Sequence, residues 1–318
     1  MVTHVSGSVT SRERYLRFDE FGGAEKLYLD SRDASPLRAD QLRVRVHAAA
    51  INPLDLRILA NGPQAKIYGV TLPSGSGNDF AGVIAEVGEE VSEFAVGELV
   101  FGEARLRAHA DVVVVGEQDI VRVPSGLSLE QAGGLNTSGK AAIASVASVA
   151  LTELSTVVIS GATGSVGLLA VQLARAAGAK VIGIARASQH DLLRDYGVTP
   201  IDSEGQLVTQ LRSAAPEGIT AVLDYQGAET IDAALELGIP AQRINTIAAK
   251  KHRTNEGVQT VHGGAERPAV VAALAEQIAR GVIHFPVDST FPLEDFSQAY
   301  ARLDSRRARG KIVLAPTR

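Results

Sequence analysis

Gly161, Gly164 and Gly167 punctuate a short turn, Gly161-Ala162-Thr163-Gly164-Ser165-Val166-Gly167, placed after the apolar run Thr156-Val157-Val158-Ile159. Glycines so spaced let the backbone approach a pyrophosphate, whose charge then sits at the N-terminus of the following helix. Leu168 to Ala177 supplies an amphipathic helix, Gly178 closes it, and Lys180 to Ala185 reads as a second strand. Strand, tight turn, helix and strand make a βαβ unit. The usual G-x-G-x-x-G pattern has Ala162 at its first position here. The strand–turn–helix context favours dinucleotide binding over an ordinary βα turn. Thr163, Gly164, Ser165, Val166 and Gly167 are then the backbone contacts.

The end of the second strand selects the cofactor. A fold that prefers NAD places Asp or Glu there, about twenty residues past the glycines, to bond the ribose 2′-hydroxyl. This chain has Ala185-Arg186-Ala187-Ser188 and no carboxylate from Ile184 to Ser188. Arg186 can pair a 2′-phosphate and Ser188 can add a hydrogen bond. The alternative is a solvated arginine in a loop. NADPH is the expected cofactor.

The elements that must hold these residues follow from the rest of the chain. Tyr15–Phe18 and Glu25–Leu29 look like strands around a Phe21-Gly22-Gly23 turn. Gln41 to His47 alternates, with Leu42, Val44 and Val46 on one face, and predicts a half-buried strand. It leads into Asn52-Pro53-Leu54-Asp55, where Pro53 sets a turn or a helix start. Further strands at Phe80–Gly88, Glu98–Gly102 and Ala110–Val115 make residues 1–125 β-rich, as in a small barrel. Leu129 to Val149 predicts two helices. Strands and helices then alternate through Ala248, which implies a doubly wound parallel sheet. Lys250 to Arg267 is polar and loop-like, Pro268–Arg280 is amphipathic, Phe291–Asp295 starts a last helix, and Lys311–Leu314 is a terminal strand.

Composition narrows the class. The 318 residues are 45% hydrophobic and 21% charged, as in a soluble globular protein of two domains. A net charge of −5 leaves no electrostatic footprint for nucleic acid or an anionic membrane. No stretch is long and apolar enough to span a bilayer, and Met1–Arg14 lacks the apolar core of a secretory signal. Met1 to about Ser11 is expected to be loosely ordered. There is no cysteine, so disulfides and thiol nucleophiles are excluded, and a cytoplasmic enzyme is the default. His47 and His109 stand alone and read as surface or packing residues, so no metal site is expected.

Several motifs in order carry a resemblance. They are Asn52-Pro53-Leu54-Asp55, Gly77-Asn78-Asp79-Phe80-Ala81-Gly82-Val83 and Phe94 to Gly102. They continue with Gly161 to Ala179 and close with Arg309-Gly310-Lys311-Ile312-Val313-Leu314. From Tyr15 onward the chain resembles the zinc-independent quinone oxidoreductase branch of the medium-chain dehydrogenase/reductase superfamily. The resemblance implies an α/β fold: a Rossmann doubly wound parallel sheet plus a GroES-like β-rich domain built from both chain ends. The segments are 1–125 for the first part of the GroES-like domain, 126–262 for the NADP-binding Rossmann domain, and 263–318 for the return. It also implies a site in the cleft between the domains and a homodimer joined through edge strands.

Residue roles follow from the same resemblance. Asn52 lies near the nicotinamide and the substrate in relatives, and Thr137 either contacts the nicotinamide ribose, as in relatives, or is a helix N-cap. Gly227, Ile247 and Ala248 follow later strands, where dinucleotides pass. Lys311 approaches the cofactor or faces solvent, and Asp55 is a catalytic candidate or a helix cap. Some quinone reductases carry tyrosines shortly after the Asn-Pro-x-Asp segment. Here no tyrosine comes before Tyr68. Arg57 or Tyr68 could stabilise an enolate, or solvent could supply the proton. The implied reaction is hydride transfer from NADPH to a quinone or to the C=C of an α,β-unsaturated carbonyl compound. Enoyl reduction of a biosynthetic intermediate, a non-redox reaction and a non-catalytic NADPH-binding role remain alternatives.

Overall fold

The computed structural model describes residues 12–60, 65, 66, 68–261 and 267–316. The expected loose start, Met1–Ser11, and the boundary at residues 262 and 263 lie outside the described residues. The strands before the glycine turn are β1 (Glu13–Phe18), β2 (Tyr28–Arg32), β3 (Gln41–Ile51), β4 (Ser74–Gly75), β5 (Asp79–Val87), β6 (Leu99–Glu103), β7 (Val112–Gly116) and β8 (Ile120–Arg122). The central strands are β9 (Thr156–Ser160), β10 (Lys180–Ala185), β11 (Thr199–Asp202), β12 (Ala221–Asp224) and β13 (Ile244–Thr246). The chain ends with β14 (Val287–Pro292) and β15 (Lys311–Ala315).

The central strands form one parallel sheet in the order β11-β10-β9-β12-β13. Its residues are apolar on both faces. Val157 and Ile159 pack in one core while Val158 packs in the other, and Val181 and Ile182 divide the same way. That is the pattern of a sheet covered by helices on both sides. The strand order reverses between β9 and β12, so a crevice opens beyond their carboxyl ends. The glycine turn lies at that point.

The β-rich part is built from both ends of the chain. β14 and β15 return to pair with β3 in the sheet β14-β15-β3-β5-β6-β8, with β7 also on β3. β3 alternates as expected through His47 and is then buried from Ala48 to Ile51. The reason is the helix Leu129–Ser148, which packs against β3, β5, β6 and β15.

Three local expectations are corrected. Leu129–Ser148 is one helix, not two, started by a Ser128–Gln131 capping box. Its glycines are contact points rather than breaks. A Cβ on Gly133 would lie 2.7 Å from the Ala48 carbonyl oxygen, and one on Gly134 would lie 2.8 Å from the Lys311 side chain. Glu25–Leu29 is not a strand. Glu25 accepts from the Gly23 N–H at 2.8 Å, holding Ala24–Lys26 in a 3-10 turn, and β2 begins at Tyr28. Phe291 and Pro292 close β14, and the last helix is Phe296–Asp304. Pro292 lacks an N–H and is tolerated because β14 is the outer strand of its sheet.

Candidate active site

Asn52 ends β3's run into the helix Pro53–Ala60 and is only 3% exposed. Both ends of its side-chain amide are held. Its Oδ1 accepts from Lys311 Nζ at 2.6 Å, and its Nδ2 donates to Asp79 Oδ2 at 3.1 Å. An ammonium can only donate and a carboxylate in this setting accepts, so the amide orientation is determined by its partners. One Nδ2–H remains for another acceptor. It is polarised by a cation on one side and a carboxylate on the other.

Asp79 is fully buried at the start of β5. Besides Asn52, it accepts from Asn136 Nδ2 (3.2 Å), the Thr137 backbone N–H (3.1 Å) and the Thr137 hydroxyl (2.6 Å). Burial raises its pKa, opposed by the charge of Lys311 and these hydrogen bonds. Lys311 is buried too, and burial lowers its pKa against the pull of Asp79 and Asp55. It also donates to Ser138 Oγ at 3.3 Å. A buried charge without such partners would be expensive. Here one cation and one carboxylate share an amide between them.

Asp55 forms the second carboxylate of the network. Its Oδ2 accepts the Asn52 N–H at 2.7 Å, capping the helix start, and its Oδ1 accepts from Asn78 Nδ2 at 2.8 Å. Burial pushes its pKa up to about 7; the Asn52 N–H opposes this and the nearby Asp79 adds to it. The folded value therefore exceeds the unfolded carboxylate value of about 4. The folded state binds the extra proton, so the stabilising contribution is complete below pH ~4 and is lost as pH rises through about 7. The urea midpoint of the wild type is expected to fall over that window more steeply than that of Asp55→Asn. Parallel pH profiles for the two proteins would refute the assignment.

The helix Leu129–Ser148 connects this network to the glycine turn. Thr137 touches Asp79, and Ser145, two turns on, bonds the Tyr225 hydroxyl at 2.5 Å. Tyr225 in turn packs beside Gly161, which has φ +58°. Thr137 and Ser145 are eight positions apart on the helix, about 12 Å at the usual rise. The turn fits a pyrophosphate. The helix Ser165–Ala176 has Gly164 at its N-cap and no side chain bonded to its first N–H groups. A Cβ on Gly164 would meet only the Gly161 carbonyl at 3.3 Å, and one on Gly227 would meet nothing within 4 Å. Gly167 is the opposite case: its Cβ would fall 2.1 Å from the Gly161 carbonyl, so it allows close helix packing. Thr163 Oγ1 donates to Gln189 Oε1 at 2.6 Å, tying the turn to the loop after β10. Arg186 is half-buried on that loop with no ion pair among the described residues, and Ser188 is exposed.

The carboxyl ends of β9, β12 and β13 are braced by Asp224, which accepts from Ser160, Thr246 and the N–H groups of Gln226 and Gly227. That holds the backbone after β12 and β13, where Gly227, Ile247 and Ala248 stand.

The chain matches the alcohol dehydrogenase GroES-like domain over residues 38–155. It matches the zinc-binding dehydrogenase family over residues 196–314. A quinone oxidoreductase of Pseudomonas aeruginosa is 28% identical across 95% of this chain and 99% of its own length. One from Sus scrofa is 27% identical across 94% of this chain and 96% of its own length. The fold superposes on Escherichia coli quinone oxidoreductase complexed with NADPH with a TM-score of 0.85, at 23% identity over 95% of this chain and all of that one. The chain belongs to the quinone oxidoreductase branch of the medium-chain dehydrogenase/reductase superfamily.

In this branch member the remaining expected residues land as follows. Arg57 donates through Nη1 to the Ile247 carbonyl at 3.3 Å, joining the β-rich part to the loop after β13. Tyr68 packs into the core around Leu16, Ile58 and Tyr300, and the Arg105 guanidinium lies 5.5 Å from its ring centre. Tyr68 is partly buried and makes no side-chain hydrogen bond to the Asn52 network among the described residues. Lys311 faces the interior beneath Asn52, not solvent. His109 is buried between Ser76 and the Ala50 carbonyl, and burial brings its pKa down to about 4, so it stays neutral. His47 lies exposed beside Glu130. No group of three His, Asp or Glu side chains gathers as a ligand set among the described residues. Sequence reasoning gave no role to Asp79, Asn78, Asn136 or Ser138. The available signal was the polar pair Asn78-Asp79 directly before the apolar run Phe80–Ala85.

No helix among the described residues is long and apolar enough to cross a membrane.

Proposed function

We propose that the protein is an NADPH-dependent, zinc-independent oxidoreductase that passes hydride to a quinone or to the C=C of an α,β-unsaturated carbonyl compound. A cytoplasmic homodimer, joined through edge strands of the parallel sheet, belongs to the same reading. The observation that carries it is the end of β10, where Arg186 stands half-buried with no carboxylate from Ile184 to Ser188. The quinone oxidoreductase relatives support the reaction class.

Bound NADPH would supply a hydride from its nicotinamide ring. The chain itself would supply position and electrostatics. The N–H groups after Gly164 hold the pyrophosphate, and Arg186 with Ser188 holds the 2′-phosphate. Thr137 orients the ribose with a lone pair, since its proton is committed to Asp79. The free N–H of Asn52 donates to the carbonyl oxygen on which charge develops. Because Lys311 and Asp79 fix that amide beforehand, little reorganisation is needed as the charge appears.

Arg186 gives a direct test. A charge-assisted contact to the 2′-phosphate is worth about 1.5–3 kcal/mol, roughly ten- to a hundredfold in affinity. Arg186→Ala is expected to weaken NADPH by that factor and leave NADH nearly unchanged. Ser188→Ala acts the same way but less. Fluorescence titration with both cofactors measures this. Equal losses for NADH and NADPH, or no loss for either, would sink the reading of Arg186 as the phosphate partner.

A further inference from the structure

Several buried and half-buried cations of this chain are paired with carboxylates. Lys140 bonds Glu103 at 2.8 Å, Arg14 bonds Asp111 at 2.8 Å, Arg43 bonds Glu13 at 3.1 Å, and Arg302 bonds Asp288 at 2.8 Å. Of the half-buried cations without such a pair among the described residues, which include Arg186 and Arg243, Arg57 and Lys250 lie at one loop. Both are half-buried, and neither has a carboxylate within ion-pair distance among the described residues. Arg57 has five N–H donors, and its one hydrogen bond among the described residues goes to the neutral Ile247 carbonyl, at 3.3 Å. Lys250 lies three residues further along the same loop. Arg57 reaches this loop through the Ile247 carbonyl, and the Lys250 pKa is lowered by burial and then by the charge of Arg57. Half-burying two like charges together is unfavourable unless an anion joins them.

We propose that Arg57 and Lys250 form an oxyanion subsite at the mouth of the cleft, and that the substrate carries a carboxylate or phosphate group apart from its reducible bond. The proposal rests on the hydride-transfer reading of the same cleft. The cofactor's own phosphates are badly placed for this pair. Arg186 follows β10 and Ile247 follows β13, three strands away in the sheet, about 14 Å at the usual strand spacing. The glycine turn follows β9, two strands away from β13. Arg57 sits two residues beyond Asp55 on the helix that begins at Asn52, so an anion on it leaves the rest of the substrate near the Asn52 amide. Arginine offers a planar fork that suits a carboxylate or phosphate, and lysine adds a point charge.

The test uses three acceptors with NADPH: a neutral benzoquinone, the same ring bearing a carboxymethyl group, and the same ring bearing a phosphate monoester. The wild type is expected to prefer an acidic acceptor by roughly tenfold or more in kcat/KM, through KM, as one charge-assisted contact allows. Added salt should erode that preference. Which acidic ring wins separates carboxylate from phosphate. Lys250→Gln and Arg57→Gln should each reduce the acidic-to-neutral ratio by roughly tenfold. Turnover of the neutral ring with no acidic preference, or variants that lose both kinds of acceptor in proportion, would overturn the subsite. Turnover of no acceptor at all would instead contradict the hydride-transfer reading. Equilibrium dialysis of the carboxymethyl quinone then decides the subsite alone: weaker binding to Lys250→Gln supports it, and equal affinity overturns it.

Discussion

Lys311→Met is expected to destabilise the protein by about 3–5 kcal/mol, the cost of leaving a buried charge without its partner. Lys311 is 2% exposed, and its ammonium is the cation that offsets Asp79, which is fully buried. Removing it also leaves Asn52 Oδ1 without its donor. Asp79 would then be driven further toward its protonated form. The loss should be greatest at high pH and shrink as the pH falls, because protonation removes the uncompensated charge. Urea denaturation of Lys311→Met from pH 5 to 8 measures it. Adding Asp79→Asn should recover much of the stability, since a neutral amide needs no counter-charge. An unchanged midpoint in the single variant, or no recovery in the double, would show that Lys311 does not support this network.

Gly164→Val has the second large effect, on the cofactor and not on the fold. Gly164 has φ −74° and ψ 166°, a conformation open to any residue. Its Cβ would approach only the Gly161 carbonyl, at 3.3 Å. The valine side chain would stand over the free N–H groups that start the helix Ser165–Ala176. Displacing a pyrophosphate there removes about two charge-assisted hydrogen bonds, on the order of 3–6 kcal/mol. NADPH affinity is expected to fall roughly a hundredfold or more, with the thermal midpoint nearly unchanged. Gly167→Ala should show the reverse order of effects, because its Cβ meets the Gly161 carbonyl at 2.1 Å and strains the fold itself. Wild-type NADPH affinity in Gly164→Val would remove the turn from the site.

The central βαβ unit was legible because its signals are local. A β-branched run, three glycines and an amphipathic stretch stand side by side from Thr156 to Ala177, and they form β9, the turn and the helix Ser165–Ala176. The glycines of Leu129–Ser148 misled for the same reason. Within the sequence they suggest a break, and only contact with Ala48, Lys311 and Val271 shows that they let the helix approach its neighbours. The polar network under Asn52 had no local signal at all. Lys311 and Asn52 are 259 positions apart, Asp79 and Thr137 are 58 apart, and Arg57 reaches a carbonyl 190 positions away. Those meetings depend on β15 joining β3 and on the long helix crossing both, which periodicity does not encode. Asn52 and Lys311 were singled out from family motifs; that one holds the other's amide became visible only with the sheet assembled.

Hydride transfer itself is open to one direct measurement. The protein is mixed with a benzoquinone and NADPH, either unlabelled or deuterated at the transferring position of the nicotinamide ring. NADPH loss and hydroquinone formation are followed together. The expected result is one NADP+ per hydroquinone, with slower turnover for the label on one face of the ring and no effect on the other. NADPH that binds tightly while no quinone or enone is reduced would contradict hydride transfer, as would product that forms with NADPH unconsumed.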